Sequence, residues 1–250
     1  QHFQASLDQM RQLQRTRSEA AVAPPSAQPT TIGAIPVHLA ANKPPTKSQL
    51  IVLGRDIPTD RKNAVQGLIV HMVRTLRDWK LQIFYTADSA ASANALCALN
   101  HNIECVDLGY RLATRRAYTA LMKNISFWKR VAGEKVLIFQ TDSIVCKNAK
   151  RKVEEFFEWD WVGAPWCGPW QKNQPYAEGS YIQIGGNGGL SLRTRDMMIK
   201  CLESFPPDIF VNEQPEDGWY VQHLPLIGAR VAPFGIARQF ASERYCMNTQ

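Results

Sequence analysis

Between Leu50 and Phe139, short apolar runs alternate with segments of helical period, and this alternation constrains the fold more than any other feature of the chain. Leu50-Ile51-Val52-Leu53-Gly54, Leu81 to Tyr85, Ile103 to Leu108 and Val136-Leu137-Ile138-Phe139 read as strands, the last with the strongest signal. Between them, Asp60 to Trp79 sets Val65, Leu68, Ile69, Met72, Val73 and Leu76 on one helical stripe. Ala93 to Leu99 reads as a helix, and Arg115 to Val131 as one or two more. The order β-α-β-α-β-α-β predicts an α/β fold with a mainly parallel central sheet flanked by helices, because parallel neighbours need a covering crossover between them. The second half is less regular. It holds a helix predicted over 148–157, an aromatic run from Trp159 to Trp166, a Gly/Tyr/Asn-rich stretch and a helix from Asp196 to Ser204. Such a half is expected to add edge strands and loops.

The chain has 250 residues, 45% of them hydrophobic, enough for one sizeable core or two small ones. Residues 1–49 stand apart. Phe3, Leu7, Met10 and Leu13 recur at helical spacing, and Pro24, Pro25, Pro29, Pro36, Pro44 and Pro45 follow among Ala, Ser and Thr. We read 1–49 as an amphipathic helix and Pro-rich stem or linker, and 50–250 as the globular domain. No stretch approaches the roughly 18 consecutive apolar residues of a spanning helix. A net charge of +7 favours anionic partners without choosing among them. Six scattered cysteines with no CxxC speak against structural zinc, and leave disulfides and buried free thiols equally open. Asn124-Ile125-Ser126 is a sequon that would report a secretory route if occupied.

Three constellations carry candidate chemistry. Gln140-Thr141-Asp142-Ser143 follows the best strand and sets one carboxylate at a strand end, where open parallel sheets bind ligands. One carboxylate suffices for Mg2+ or Mn2+ if a diphosphate supplies further oxygens, while a plain turn cap fits the same spacing. Gly185-Gly186-Asn187-Gly188-Gly189 allows close backbone approach to a ligand, and reads equally as a tight hairpin. Glu216-Asp217, with His223 six residues beyond Asp217, offers a general base beside aromatics and a metal-ligating imidazole; the carboxylates serve equally well as charges opening a helix. GxSxG, HExxH, the phosphate loop GxxxxGK[ST] and the kinase motifs are absent. Arg111, Arg115, Arg116, Lys123, Lys129 and Arg130 could form a basic face for nucleic acid, but a solvated amphipathic helix is the commoner source of such charge.

Taken in order, Val136 to Ser143, Trp161-Val162-Gly163-Ala164-Pro165-Trp166, Gly186 to Arg193 and Glu216-Asp217 resemble the glycosyltransferase-like family catalogued as a domain of unknown function, within the GT-A glycosyltransferases. The likeness runs from about Ser48 to Glu243. It implies a Rossmann-like GT-A fold and an enzyme that moves a sugar from a nucleotide-diphosphate sugar donor to a carbohydrate or glycoconjugate acceptor. In that family a strand-end Asp-x-Asp holds a divalent metal against the diphosphate. Here Gln140 replaces the first Asp, which leaves Asp142 as the direct carboxylate ligand for Mn2+ or Mg2+ and His223 as a further candidate.

By the same resemblance, Gln140, Thr141, Asp142, Asn187 and Gly188 are expected on the donor; Arg55, just past the first strand end, is a further donor candidate that reads also as an ordinary loop arginine, and Trp166 and Trp219 offer flat apolar faces for the acceptor sugar that read equally as buried core. Asp217 is the expected base, with Glu216 as alternate and inversion as the outcome. No nucleic-acid partner is expected. The stem fits a tethered type II protein of the Golgi or another secretory lumen, held to a membrane through an anchor outside this chain, and a cytoplasmic protein with a disordered extension reads the same. The loss of the first Asp favours the alternative, a non-catalytic carbohydrate- or nucleotide-binding module with the same fold.

Overall fold

The computed structural model describes residues 46–166, 185–207 and 214–242. The expected stem falls outside these residues up to position 45, and the first strand begins at Lys47, three residues before the expected domain start. Six strands form one sheet: β1 (Lys47–Leu53), β2 (Lys80–Tyr85), β3 (Ile103–Asp107), β4 (Lys135–Phe139), β5 (Trp161–Ala164) and β6 (Asn187–Thr194). Their spatial order is β3-β2-β1-β4-β6-β5. β1 to β4 run parallel, and β6 lies antiparallel between β4 and β5.

Strand periodicity divides the core into two layers. Leu50, Phe84, Val136 and Ile138 face one side and Ile51, Leu53, Ile83, Leu137 and Phe139 the other. Helices α1 (Lys62–Thr75), α2 (Ala90–Cys97) and α7 (Phe234–Phe240) cover the second side. The first is covered by α3 (Arg115–Met122), α4 (Ile125–Trp128), α5 (Arg195–Ser204) and α6 (Glu216–His223). The expected α/β class therefore holds. α1 places Val65, Ile69, Met72 and Val73 in the core, matching the predicted stripe.

Two expectations for the second half are corrected. The helix predicted over 148–157 is a single 3-10 turn, Val153–Phe156. Only Val153 and Phe156 have core to bury there, while residues 147–152 are exposed and the Lys152 N–H is taken by the Glu155 carboxylate. The glycine stretch, from Asn187 onward, is not a tight hairpin but the start of an eight-residue strand, because pairing with β4 and β5 supplies what its side chains lack.

Cys97 and Cys105 form a disulfide joining the end of α2 to β3, whereas Cys201 is a buried free thiol pushed up to about 12 by burial and Cys146 an exposed one. Asn124 of the sequon is exposed and caps α4, its Oδ1 accepting from the Ser126 and Phe127 amides. Lys123 is not part of a solvated basic face: it is buried and donates to the Gln214 carbonyl. Among the described residues no helix is long and apolar enough to cross a membrane.

Candidate functional site

Strands β1 and β4 are neighbours in the middle of the sheet, with β2 and β3 laid to one side and β6 and β5 to the other. At such a reversal the connections leaving the two strands diverge and open a crevice at their carboxyl ends. Arg55 follows β1 and is exposed there; Gln140 to Ser143 follow β4. Because β6 runs the other way and pairs Leu190 with Phe139, its first residues, Asn187 to Gly189, arrive at the same end. A tight turn binds the two. The Gln140 amide donates to Ser143 Oγ at 2.9 Å, and that hydroxyl reaches the Gly189 carbonyl at 3.1 Å. Asn187 Oδ1 accepts from the Gly189 amide at 2.5 Å.

The first turn of α6 is fastened to β6 by a buried ion pair. Arg193, fully buried, donates to both oxygens of Glu216, Nη1 to Oε2 at 2.8 Å and Nη2 to Oε1 at 2.9 Å. Its remaining donors go to Ser191 Oγ at 2.9 Å and the Gly188 carbonyl at 3.3 Å, and the guanidinium lies 4.0 Å from the Trp161 ring centroid. Burial raises the Glu216 carboxyl above its ordinary range, and the Arg193 charge opposes that rise. The two parallel N–H donors require an acceptor-only carboxylate, so the pair is ionic. Breaking a buried pair of this kind by removing one partner costs about 3–5 kcal/mol. Glu216, expected as the alternate base, thus has both of its oxygens engaged by Arg193.

The next residue, Asp217, is half-buried. Its Oδ2 accepts from the Gly188 amide at 3.2 Å and its Oδ1 from the Gly218 amide at 2.8 Å. The Gln140 turn, the Gly188–Gly189 backbone and the Glu216–Asp217 helix start thus meet at one sheet end. A Cβ at Gly188 would stand 2.3 Å from Glu216 Oε1, and one at Gly189 would stand 3.0 Å from Gln140 Oε1. Two further side chains, both from the α3 segment, join this cluster. The Tyr118 phenol lies near the Gln140 side chain and is pushed up chiefly by burial and then by Glu216. The Lys123 ammonium interacts with Glu216 and Asp217 and lies 5.6 Å from the Trp219 ring centroid. Sequence reasoning did not single out Tyr118 and set Lys123 among solvated charges; the packing of α3 against α6 brings both here.

Other expected residues are placed differently. Trp219 is 3% exposed, in the core beneath Lys123 and against Tyr220, so it offers no face to an acceptor. Trp166 is half-buried at the end of β5 and keeps part of its surface open. His223 stacks on Trp219 at 4.4 Å with Nδ1 hydrogen-bonded to the Trp219 carbonyl at 2.8 Å. Among the described residues no three His, Cys, Asp or Glu side chains form a group able to hold a metal. Asp142 is exposed and makes no hydrogen bond or ion pair with the described residues; Thr141 beside it is half-buried. One free carboxylate fits a hard cation only where substrate phosphate oxygens and water complete its shell.

The sequence profile of the family described as Protein of unknown function (DUF5672) matches residues 100–250. No curated protein matches the chain. Among solved structures, the mannosyltransferase PcManGT from Pyrobaculum calidifontis, in complex with GDP-Man and Mn2+, is similar at 14% identity over 76% of this chain and 54% of that one, with a TM-score of 0.49. This chain therefore spans about half the length of that protein. The galactosyltransferase LgtC, in complex with donor and acceptor sugar analogs, is similar at 15% identity over 70% of each chain, with a TM-score of 0.45.

Proposed function

The chain belongs to the DUF5672 family, and we propose that it is a glycosyltransferase moving a sugar from a nucleotide-diphosphate sugar to an acceptor hydroxyl. The observation that carries the proposal is the meeting of Gln140–Asp142, Asn187–Gly189 and Glu216–Asp217 at the carboxyl end of a mainly parallel sheet. These residues come from three of the four motifs that resemble GT-A enzymes. Asp217 accepts the proton of the acceptor hydroxyl; the oxygen electron pair forms the bond to the anomeric carbon, the bond from that carbon to the diphosphate oxygen breaks, and its electron pair departs with the nucleoside diphosphate. Attack opposite the leaving group inverts the anomeric centre. Arg193 and Glu216 fix the helix start that presents Asp217, so the base is oriented before substrate arrives.

Donor contacts are assigned to Gln140, Thr141, Asn187, the Gly188 backbone and the exposed Arg55, and the acceptor contact to Trp166. Asp142 would hold Mn2+ or Mg2+ together with the donor diphosphate, and such an ion supplies neutralisation of the leaving-group charge. The Cys97–Cys105 disulfide supports an oxidising, secretory-lumen location. Replacing Asp217 by Asn keeps the side-chain shape and its acceptor oxygen but removes the base. We expect transfer to fall at least about 100-fold while nucleoside diphosphate affinity, read by isothermal titration, stays near that of the wild type. Retained turnover removes Asp217 from the role.

A second reading, a non-catalytic carbohydrate- or nucleotide-binding module, is favoured by one observation: the neutral Gln140 stands where the first carboxylate of the metal motif would be. Binding of nucleotide sugars without transfer or donor hydrolysis decides for it.

A further inference from the structure

Three hydroxyl residues recur at a spacing of three in Thr86-Ala87-Asp88-Ser89-Ala90-Ala91-Ser92, the segment that leaves β2 through a 3-10 turn (Ala87–Ser89) and opens α2. Residues three apart share one side of such a turn. That side meets the chain leaving β1, the neighbouring strand. Thr86 Oγ1 donates to the Gly54 carbonyl at 3.0 Å, Ser89 Oγ to the Leu53 carbonyl at 2.5 Å, and Ser92 Oγ to the Asp56 carboxylate. The Ile57 amide donates in turn to Ser92 Oγ at 3.4 Å. All three hydroxyl residues are buried, a costly state for such a group unless it is hydrogen-bonded, and the exit from β1 satisfies each of them. Leu112 closes the same stretch: a Cβ at Gly54 would stand 2.9 Å from its carbonyl oxygen.

Leu53, Gly54, Asp56 and Ile57 are thus each held by a hydroxyl. Arg55, between them, is exposed and makes no hydrogen bond or ion pair with the described residues. A guanidinium donates in pairs to phosphate oxygens, and here it stands on a backbone fixed on both sides. We infer that Thr86, Ser89 and Ser92 are positioning residues for donor binding: they fix the exit from β1 so that Arg55 meets the donor diphosphate from a loop already in place. The inference rests on the transferase reading for its ligand and on the hydrogen bonds under the loop for the rest. A loop that must be ordered on binding charges that cost against affinity, and one held in advance does not. Buried beneath the loop, the three hydroxyls act through Arg55 rather than by touching the ligand.

The test titrates UDP and GDP, each with Mn2+, into the full chain by calorimetry. Arg55→Ala is expected to weaken the affinity by about 10-fold or more, the loss of a charged hydrogen-bond donor. Thr86→Val keeps the shape of the side chain and removes its hydroxyl; it is expected to weaken the affinity by about 3- to 10-fold, the cost of ordering a loop that the wild type holds ready. Thr86→Ser restores the hydroxyl and is expected to bind like the wild type. In the Arg55→Ala background, Thr86→Val should cost nothing further, because a residue that acts through Arg55 has nothing left to act on. Should Thr86→Val fail to fold, Ser92→Ala takes its place in both backgrounds. Affinity unchanged in Arg55→Ala or in Thr86→Val, or lost equally with and without Arg55, overturns the inference and leaves the transferase reading standing. A wild type that binds neither UDP nor GDP strikes the donor reading itself, and the inference with it.

Discussion

At the scale of single residues, the site is set by which polar groups are buried and what each is given as a partner. Arg193 is satisfied by four acceptor atoms and three ring faces, which is why so costly a group is tolerated at zero exposure. His223 meets the same problem by staying neutral. Its Nδ1–H donates to the Trp219 carbonyl, its ring stacks on Trp219, and burial, with Lys123 nearby, pushes its pKa below the ordinary value of 6.5. The unfolded chain binds a proton near that ordinary value and the folded chain only at lower pH. This contribution to stability is therefore complete above about pH 6.5 and is lost as pH falls through the folded value. Urea unfolding at pH 7.5 and 5.5 should show the wild type losing more stability than His223→Phe over this interval, by at most about 1.4 kcal/mol per pH unit. Equal losses in both proteins would mean that the imidazole is charged in the folded state.

At the scale of elements, β6 is where sequence and structure part most. The strands of the first half are apolar runs that a period-two reading finds, and each lies within a few residues of its expected place. β6 begins with Asn187, Gly188 and Gly189, residues with poor strand propensity, and is held by pairing with β4, some fifty residues away in the chain. No local pattern encodes that pairing, nor the union of Arg193 with Glu216, 23 residues further along the chain. Yet the glycines have a reason visible once β6 is in place. Gly163 passes so close to the Asn187 carbonyl that a Cβ would stand 2.2 Å from it, and Gly188 faces the buried pair. Gly188→Ala should therefore push against Glu216 and Arg193, which are locked by their mutual hydrogen bonds, and destabilise by about 1–3 kcal/mol in urea unfolding. Gly67→Ala on exposed α1, where a Cβ meets nothing within 4 Å, should stabilise by about 0.4–1 kcal/mol. Equal effects at the two positions would remove the steric argument at the site.

At the scale of the whole molecule, the alternation of strands and helices was enough to foresee a parallel sheet, and with it the end at which a ligand would sit. It was not enough to foresee which residues line that end, because Tyr118 and Lys123 reach it only through the packing of α3 on α6. Arg55, just after β1, is exposed, and Asp142, just after β4, is an exposed carboxylate with no hydrogen bond or ion pair to the described residues. Such a pairing suits an anionic ligand bound partly through a divalent ion. A ligand that binds only the folded state at 100 times its Kd stabilises by about 2.7 kcal/mol. For a domain of this size each kcal/mol moves Tm by about 2–4 °C, so UDP or GDP at such concentrations should raise it by about 5–10 °C. Part of that rise should require Mn2+, and Asp142→Ala should abolish the Mn2+-dependent part while leaving the rest. An increment from Mn2+ that survives in Asp142→Ala would assign the ion to other residues. A Tm unmoved by either nucleoside diphosphate, with or without Mn2+, would take the diphosphate out of the crevice altogether.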